Sequence, residues 1–97
     1  MSGTCERVTF EAKFPLGQIV TTPGVLDAVP VGMLPLLLRR HARGDWGDVD
    51  ASDARANDAA LRDGDRLLSS YTVCGVKVWV ITEWDRSVTT ALLPEEY

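Results

Sequence analysis

The stretch from residue 67 to residue 94, LLSSYTVCGVKVWVITEWDRSVTTALLP, constrains the fold most because it predicts three consecutive short β-strands. Residues 67–73, 76–83 and 87–93 are rich in the β-branched and aromatic residues that favour strands. Cys74-Gly75 predicts a hairpin turn, residues 84–86 form the next turn, and Pro94 ends the last strand. The middle strand is apolar on both faces, which indicates a central position in a three-stranded meander.

The first two-thirds of the chain predicts two further strands and two or three helices. Residues 7–14 alternate between apolar and polar side chains, as in a half-buried strand, and residues 18–21 follow a turn as a short second strand. Thr22-Pro23 is typical of a helix start, and that helix ends before Pro30. A second helix covers about residues 33–42, and a third begins at residue 50 or 52 and ends near residue 63, before Gly64. One face of the second helix carries Leu34, Leu37, Leu38 and His41.

This order of elements predicts an α+β fold. A chain of 97 residues has room for one domain, spanning residues 1–97. We expect an antiparallel sheet that contains the C-terminal meander, with two to three short helices packed on one face.

The composition limits the classes of function. A net charge of −4 and a pI near 4.8 argue against direct binding of a nucleic-acid backbone, which usually requires a basic stripe. No secretory signal and no membrane-spanning run are visible, and Cys5 and Cys74 follow no metal-binding spacing. These two cysteines can pair in a disulfide, but unpatterned cysteines are typical of a reduced, cytoplasmic chain. We expect no metal and no cofactor.

Two features of the middle of the chain each leave two interpretations open. His41 can be a general acid or base at the end of a leucine face, or a helix-end residue bonded to a carbonyl group. Trp46, in an Asp-Trp-Gly-Asp loop, is either tucked over the core or exposed as a contact residue. The nearby aspartates do not match an EF-hand: counted from Asp48, the sixth and twelfth positions hold Asp53 and Ala59.

A polar cluster is predicted on the C-terminal strands. Strand alternation places Ser69 and Tyr71 on one face, which Thr82, Trp84 and Thr89 of the following strands can approach. With the nearby Arg86, these side chains would form a polar platform for a phosphate, a carboxylate or a protein partner. The alternative is a solvated sheet face on which threonine is simply a good strand former.

One weak resemblance points to an enzyme. The run from Asp65 to Ser70 resembles a strand entry in small ribonucleases of the barnase type. No histidine follows the last strands, and Glu83 does not stand at an obvious general-base position. If the chain is such an enzyme, the catalytic candidates are His41, Arg66, Tyr71 and Arg86.

From about Phe14 onward the sequence also resembles a family of small bacterial proteins encoded on plasmids and other mobile elements, often labelled plasmid-related. Trp84 and Cys74 are departures from that pattern. The resemblance implies a mobile-element setting and assigns no reaction. It is carried by FPLGQ at 14–18, TPG at 22–24, His41 with GDWGD at 44–48, Asn57, Arg66, Ser69, Tyr71, WVIT at 79–82, DRS at 85–87, TT at 89–90 and LLPEEY at 92–97.

Small acidic proteins of mobile elements often block host machinery, so the leading hypothesis is a non-enzymatic, protein-binding inhibitor of a host protein or complex, of the anti-restriction or anti-CRISPR type. The alternatives are a small endoribonuclease or toxin-like enzyme, and a homodimer that pairs an exposed sheet edge. We expect Trp46, Trp84 and Arg86, with Asp45 and Asp85, to form the contact surface. The full set of binding candidates is Asp45, Trp46, Asn57, Ser69, Tyr71, Thr82, Trp84, Asp85, Arg86, Thr89 and Thr90.

Overall fold

The computed structural model of the chain describes residues 12–97. Short 3-10 turns at Val31–Met33 and Pro94–Glu96 complete the secondary structure of this part. The four strands and three helices are β1 (Gln18–Thr21), α1 (Pro23–Ala28), α2 (Leu34–Ala42), α3 (Ala51–Asp63), β2 (Leu67–Val73), β3 (Val76–Thr82) and β4 (Val88–Leu92).

The strands form one sheet in the order β1-β4-β3-β2, and this confirms the predicted α+β fold with its C-terminal meander. Cys74 and Gly75 both have positive φ angles, 51° and 77°, as expected of a two-residue turn whose twist matches that of the strands. β1 pairs with β4 in parallel, with Gln18 opposite Val88, so the sheet is mixed rather than wholly antiparallel. The long crossover that a parallel pair needs is supplied by everything between β1 and β4.

The strand predicted over residues 7–14 lies mostly outside the described residues. Its last three residues, 12–14, form no strand. Instead, the Lys13 N–H donates to the carbonyl oxygen of Ala42 at 2.7 Å, and Phe14 is buried. The approach to β1 is therefore fixed against the C-terminal end of α2.

The helix ends follow the local sequence signals. Asp50 caps α3 by accepting from the N–H of Asp53 at 2.8 Å, and Gly64, at φ 77°, ends that helix in the left-handed conformation. Pro23 starts α1, but the hydroxyl of Thr22 does not cap it; that hydroxyl donates to Glu96 at 2.5 Å. The C-terminal turn is thereby attached to the start of α1.

All three helices pack on one face of the sheet. Val25 of α1 and Leu37 of α2 lie in a buried cluster with Val80 of β3, and Ala60 of α3 lies in a second cluster with Leu67 of β2. Burial of these side chains is the main favourable contribution to folding. The strand residues on this face are every second one, so β2 directs Leu67, Ser69, Tyr71 and Val73 toward the helices.

The outer edge of β2 is covered at Leu68 and Ser70. The Asn57 side chain accepts from the Leu68 N–H at 3.2 Å and donates to the Leu68 carbonyl at 2.7 Å, as a neighbouring strand would. Two residues further, the N–H of Ser70 donates to Trp46 O and its carbonyl accepts from Asp48 N. A short loop and one amide side chain therefore occupy the outward backbone groups of these two residues, which an edge strand otherwise presents to solvent.

Gly47 makes this edge closure sterically feasible, because it lies at φ 76° and a Cβ there would overlap the Ser70 carbonyl and the Tyr71 ring. We predict that Gly47→Ala lowers the free energy of unfolding by more than about 3 kcal/mol, since overpacking and the left-handed conformation each add a cost. Gly64→Ala is the matched control: its φ is similar but its surroundings are open, so a loss of about 1 kcal/mol is expected. Urea unfolding of both variants measures the difference, and equal losses would contradict the steric argument.

Candidate functional site

A chain of hydrogen bonds through His41 crosses the covered face of the sheet. His41 Nδ1 lies 2.5 Å from Ser69 Oγ and Nε2 lies 2.9 Å from Thr82 Oγ1. Thr82 Oγ1 is 2.7 Å from Thr89 Oγ1, which donates to the carbonyl oxygen of Leu16 at 2.7 Å. The four side chains are fully buried, so the chain joins α2, three strands and the loop before β1 in the interior.

The proton count along this chain fixes its polarity. Thr89 donates its single hydroxyl proton to the carbonyl oxygen of Leu16, so Thr82 must donate to Thr89. Thr82 then has no proton left for His41, which must donate from Nε2. A neutral imidazole that donates from Nε2 accepts at Nδ1, so the Ser69 hydroxyl donates there. Every member is thus satisfied with His41 neutral.

The surroundings of His41 disfavour its charged form. Phe14 meets its ring edge-on at 5.2 Å and Trp46 at 5.7 Å between ring centroids. Burial, with a smaller contribution from the charge of Arg86, lowers the pKa of His41 to about 4. His41 is therefore neither the exposed acid–base group nor the carbonyl-bonded helix end that the sequence suggested.

Two further aromatic candidates belong to the interior. Trp46 is buried, stacks on Phe14 at 6.3 Å, and donates from Nε1 to Asp58 at 3.0 Å. Tyr71 donates its hydroxyl to the carbonyl of Asp45 at 2.6 Å, and burial raises the pKa of Tyr71 to about 12. Of the two interpretations of Trp46, the structure has the one in which the ring is tucked over the core.

Asp45 lies at the surface and is engaged locally. Its carboxylate accepts two hydrogen bonds from the Arg40 guanidinium, at 2.7 and 3.2 Å, and one from the N–H of Gly47. The bond from Arg40 is the main reason that the pKa of Asp45 is lowered. Arg40 also lies 4.6 Å from the centre of the Tyr71 ring. This group therefore holds the 45–48 loop in place beside β2.

Arg86 is held, as its place between Asp85 and Ser87 suggested, but it is held by the protein itself. Its guanidinium donates to the carbonyl oxygens of Asp65 at 2.6 Å, Glu83 at 3.1 Å and Ala60 at 3.1 Å. Ala60 lies in the last turn of α3 and Asp65 follows the Gly64 cap, at the end of the helix where a positive charge is favourable. Arg86 thus ties the turn between β3 and β4 to the end of α3.

That turn presents Trp84 to solvent. Trp84 is 66% exposed, and Asp85 beside it is exposed as well. The turn is closed by Arg86 N–H to Glu83 O at 2.9 Å and by Glu83 N–H to Val88 O at 3.1 Å. Asp85 accepts from the Ser87 hydroxyl at 2.6 Å, which is the main cause of its lowered pKa. A large apolar side chain is therefore displayed on a backbone fixed from both sides.

The opposite face of the sheet contains a cavity of about 160 Å³. Arg66 lies beside it, donating to the Tyr97 hydroxyl at 2.7 Å and lying 3.6 Å from Glu83. Thr90 lines this cavity, because residues 81 and 90 face away from the helices. The lining residues are Arg66, Ile81, Glu83, Thr90, Leu92, Glu96 and Tyr97.

The predicted polar platform is therefore divided into separate places. Ser69, Tyr71, Thr82 and Thr89 do share a face, but helices cover it, and the expectation of an accessible platform is corrected. Trp84 lies outside this face, in the turn. Strand alternation placed these side chains together correctly, yet it could not say which face of an apolar sheet the helices would cover.

The four catalytic candidates are also not assembled around an open site. His41 and Tyr71 are buried on the helix side, Arg66 lies on the other face, and the Arg86 guanidinium is occupied by carbonyl groups. Asn57, a binding candidate, is buried against Leu68.

Several residues that organise these places were not predicted. Glu96 accepts from Thr22, from Gly24 N–H at 3.1 Å and from Leu93 N–H at 2.9 Å, and the Thr22 bond is the main cause of its lowered pKa. Asp58 was missed as the partner of Trp46. Apart from the Leu93–Glu96 bond, these contacts join residues well separated in sequence, so no local pattern predicts them.

Comparisons of the chain with protein-family models, with curated proteins and with solved structures find no significant match. Within residues 12–97, no helix is long and apolar enough to cross a membrane. The same residues contain no cluster of three or more His, Cys, Asp or Glu side chains that could hold a metal ion. Cys74 is exposed and unpaired, while Cys5 lies outside the described residues.

The buried neutral histidine predicts a loss of stability in mild acid. Between the usual pKa of 6.5 and about 4, the unfolded chain binds a proton at His41 that the folded chain does not. Stability is therefore full above pH 6.5 and falls as the pH is lowered, by about 2 kcal/mol between pH 7 and pH 5.

Urea unfolding at the two pH values measures this loss, and His41→Gln, which cannot titrate, should show a smaller one. If that variant does not fold, ¹⁵N NMR of the wild-type imidazole provides the test directly. We expect an Nε2–H tautomer at pH 7, and an ordinary titration near pH 6.5 would contradict the assignment.

Arg86 provides a second test of this assignment of roles. We predict that Arg86→Ala lowers the free energy of unfolding by about 2–3 kcal/mol, since three carbonyl groups lose a charged donor. Arg86→Lys, which keeps the charge without the planar fork, should recover part of this loss. Arg55→Ala, at an exposed position of α3, should change stability by less than about 0.5 kcal/mol. Wild-type stability of Arg86→Ala would return Arg86 to the list of contact residues.

Proposed function

We propose that the protein acts by binding another protein, with Trp84 at the centre of the contact surface. The single observation that carries this proposal is a tryptophan 66% exposed on a turn whose backbone is fixed. Tryptophan is among the commonest anchors of protein interfaces, and an exposed one is unfavourable unless something covers it.

The support beneath Trp84 strengthens this argument. The two residues that follow Trp84 and Asp85 are both fixed by hydrogen bonds. Arg86 is bonded to three carbonyl groups, and Ser87 is bonded to Asp85. A contact residue on such a turn needs little further ordering when a partner arrives, so less of the binding energy is lost. Arg86 thus acts as a positioning residue for the contact surface, while Asp85 adds an exposed negative charge at its rim.

The kind of partner is part of the same proposal. We infer a host protein or complex, and an inhibitory role of the anti-restriction or anti-CRISPR type, from the resemblance to small mobile-element proteins; this is an argument by analogy. The net charge of −4 favours a partner with a basic surface. An unpaired, exposed Cys74 fits the reducing cytoplasm, where we place the protein.

The geometry favours binding over the endoribonuclease alternative. His41 is fully buried with both ring nitrogens bonded, and the guanidinium of Arg86 is occupied. Catalysis would require a substrate to reach groups that helices cover and that satisfy one another. Binding through Trp84 and Asp85 requires no such rearrangement.

The test compares Trp84→Ala with Leu36→Ala, a control that removes another exposed apolar side chain. Tagged wild type, both variants and an untagged blank are incubated with host lysate, with and without nuclease treatment, and the retained protein is then purified and titrated. We expect affinity to fall at least about 30-fold for Trp84→Ala, as for an interface anchor, and to be unchanged for Leu36→Ala. Equal affinity of the two variants, or loss of the partner on nuclease treatment, would overturn the proposal.

A further inference from the structure

The exposed edge of β1 differs from the closed edge of β2. The N–H groups of Gln18 and Thr22 donate to Ser87 O and Ala91 O of the β4 segment, at 3.0 and 3.1 Å. Since backbone groups alternate in direction along a strand, those of Ile19 and Thr21 point away from β4. Across the described residues, no element of the sheet lies beyond β1.

The side chains of this edge also lack the features that usually protect one. Ile19 and Val20 are 42% and 41% exposed, one on each face of the sheet. Edge strands are commonly protected by charged residues, prolines or bulges, and the segment Gln18-Ile19-Val20-Thr21 contains no charged residue and no proline. An edge of this kind can accept an added strand.

A carboxylate stands at each end of β1. At the start, Gln18 bonds to Ser87, whose hydroxyl and N–H are bonded to Asp85. At the end, Thr22 bonds to Glu96. Arg86 lies between Asp85 and Ser87 in the turn before β4, but its guanidinium is directed to the end of α3. Through these bonds, a negatively charged carboxylate is linked to each end of β1.

We propose that β1 is the docking edge for an extended segment of the partner protein, and that this segment carries a basic side chain at each end. This inference rests on the proposed function and deepens it, because the turn that holds Trp84 adjoins the start of β1 through Ser87. One partner can therefore cover Trp84 and add a strand to β1 at the same time.

The spacing of the two ends of β1 defines the segment. Gln18 and Thr22 are four residues apart, which is about 13 Å along a strand, and side chains four apart point to the same face. Val20 lies between them on that face. The complementary segment is basic, any residue, apolar, any residue, basic. This pattern is symmetric, so it suits either strand direction.

The charge distribution also decides against a second copy of the chain. Two β1 edges paired with each other would bring Asp85 and Glu96 of both copies to the same short ladder, and like charges at this distance repel. A basic segment of another protein relieves this charge instead.

The test uses the full chain and a synthetic peptide, acetyl-Thr-Lys-Thr-Val-Thr-Lys-Thr-amide, observed by NMR and by titration. We expect hydrogen exchange at the Ile19 and Thr21 amides to slow when the peptide is added. A peptide with glutamate in place of both lysines should bind at least about tenfold more weakly. Equal binding of both peptides, or shifts confined to residues elsewhere, would overturn the charge assignment and the edge assignment respectively.

Two variants of Ile19 test the backbone role. Ile19→Pro removes the outward N–H without touching the Gln18 and Thr22 bonds to β4, and proline is tolerated on an edge strand. It should abolish peptide binding, whereas Ile19→Ala, which keeps the N–H, should weaken binding less than about threefold. Sedimentation of the free chain completes the test, and a dimer lost in Ile19→Pro would assign the edge to a second copy and overturn the proposal.

The same variants separate this inference from the proposed function. If Trp84→Ala releases the host partner and Ile19→Pro does not, the contact surface stands and the edge proposal fails. If the peptide docks on β1 while Trp84→Ala leaves partner affinity unchanged, the edge proposal stands and the assignment of Trp84 fails.

Discussion

The rest of the structure depends on the hydrogen bonds of the His41 imidazole. It bonds Ser69 and Thr82, and through Thr82 and Thr89 it reaches the loop before β1. Buried polar groups are costly unless they are paired, and here each hydroxyl donates its single proton to one acceptor. A register shift between β2, β3 and β4 would leave several of these groups unpaired at once. The polar residues that suggest a site therefore specify how the helix and strands fit together.

Arg86 extends the same logic to the surface. Its backbone has a φ of 61°, a conformation that costs a non-glycine residue about 1–2 kcal/mol. Three bonds from its guanidinium to carbonyl groups offset that cost, and they fix the turn that displays Trp84. The buried hydrogen bonds through His41 fix the register of the strands, and Arg86 fixes the turn between β3 and β4. Together they hold Trp84 at the surface.

Local signals in the sequence were sufficient to predict the helices and strands, but not which of these elements contact one another. Asp50 and Gly64 marked both ends of α3, and the Cys74-Gly75 turn marked the hairpin. The covered face could not be chosen, because β3 is apolar on both sides: Val80 faces the helices, and Ile81, on the other face, is buried as well. The parallel pairing of β1 and the Thr22–Glu96 bond join residues distant in sequence, which no local pattern encodes.

The two edges of the sheet differ in the polar contacts that cover them. At β2, Asn57 and the 46–48 loop close the edge, and Gly47 provides the close approach that this requires. At β1, two β-branched side chains are exposed, and Ser87, which bonds the start of β1, follows the turn that carries the exposed Trp84. Within residues 12–97, an amide side chain and a loop cover one edge at Leu68 and Ser70, while no element and no charged strand residue protects the other edge from pairing. Because β1 pairs with β4 and Trp84 lies in the turn that leads into β4, this unprotected edge and the proposed contact surface adjoin the same strand.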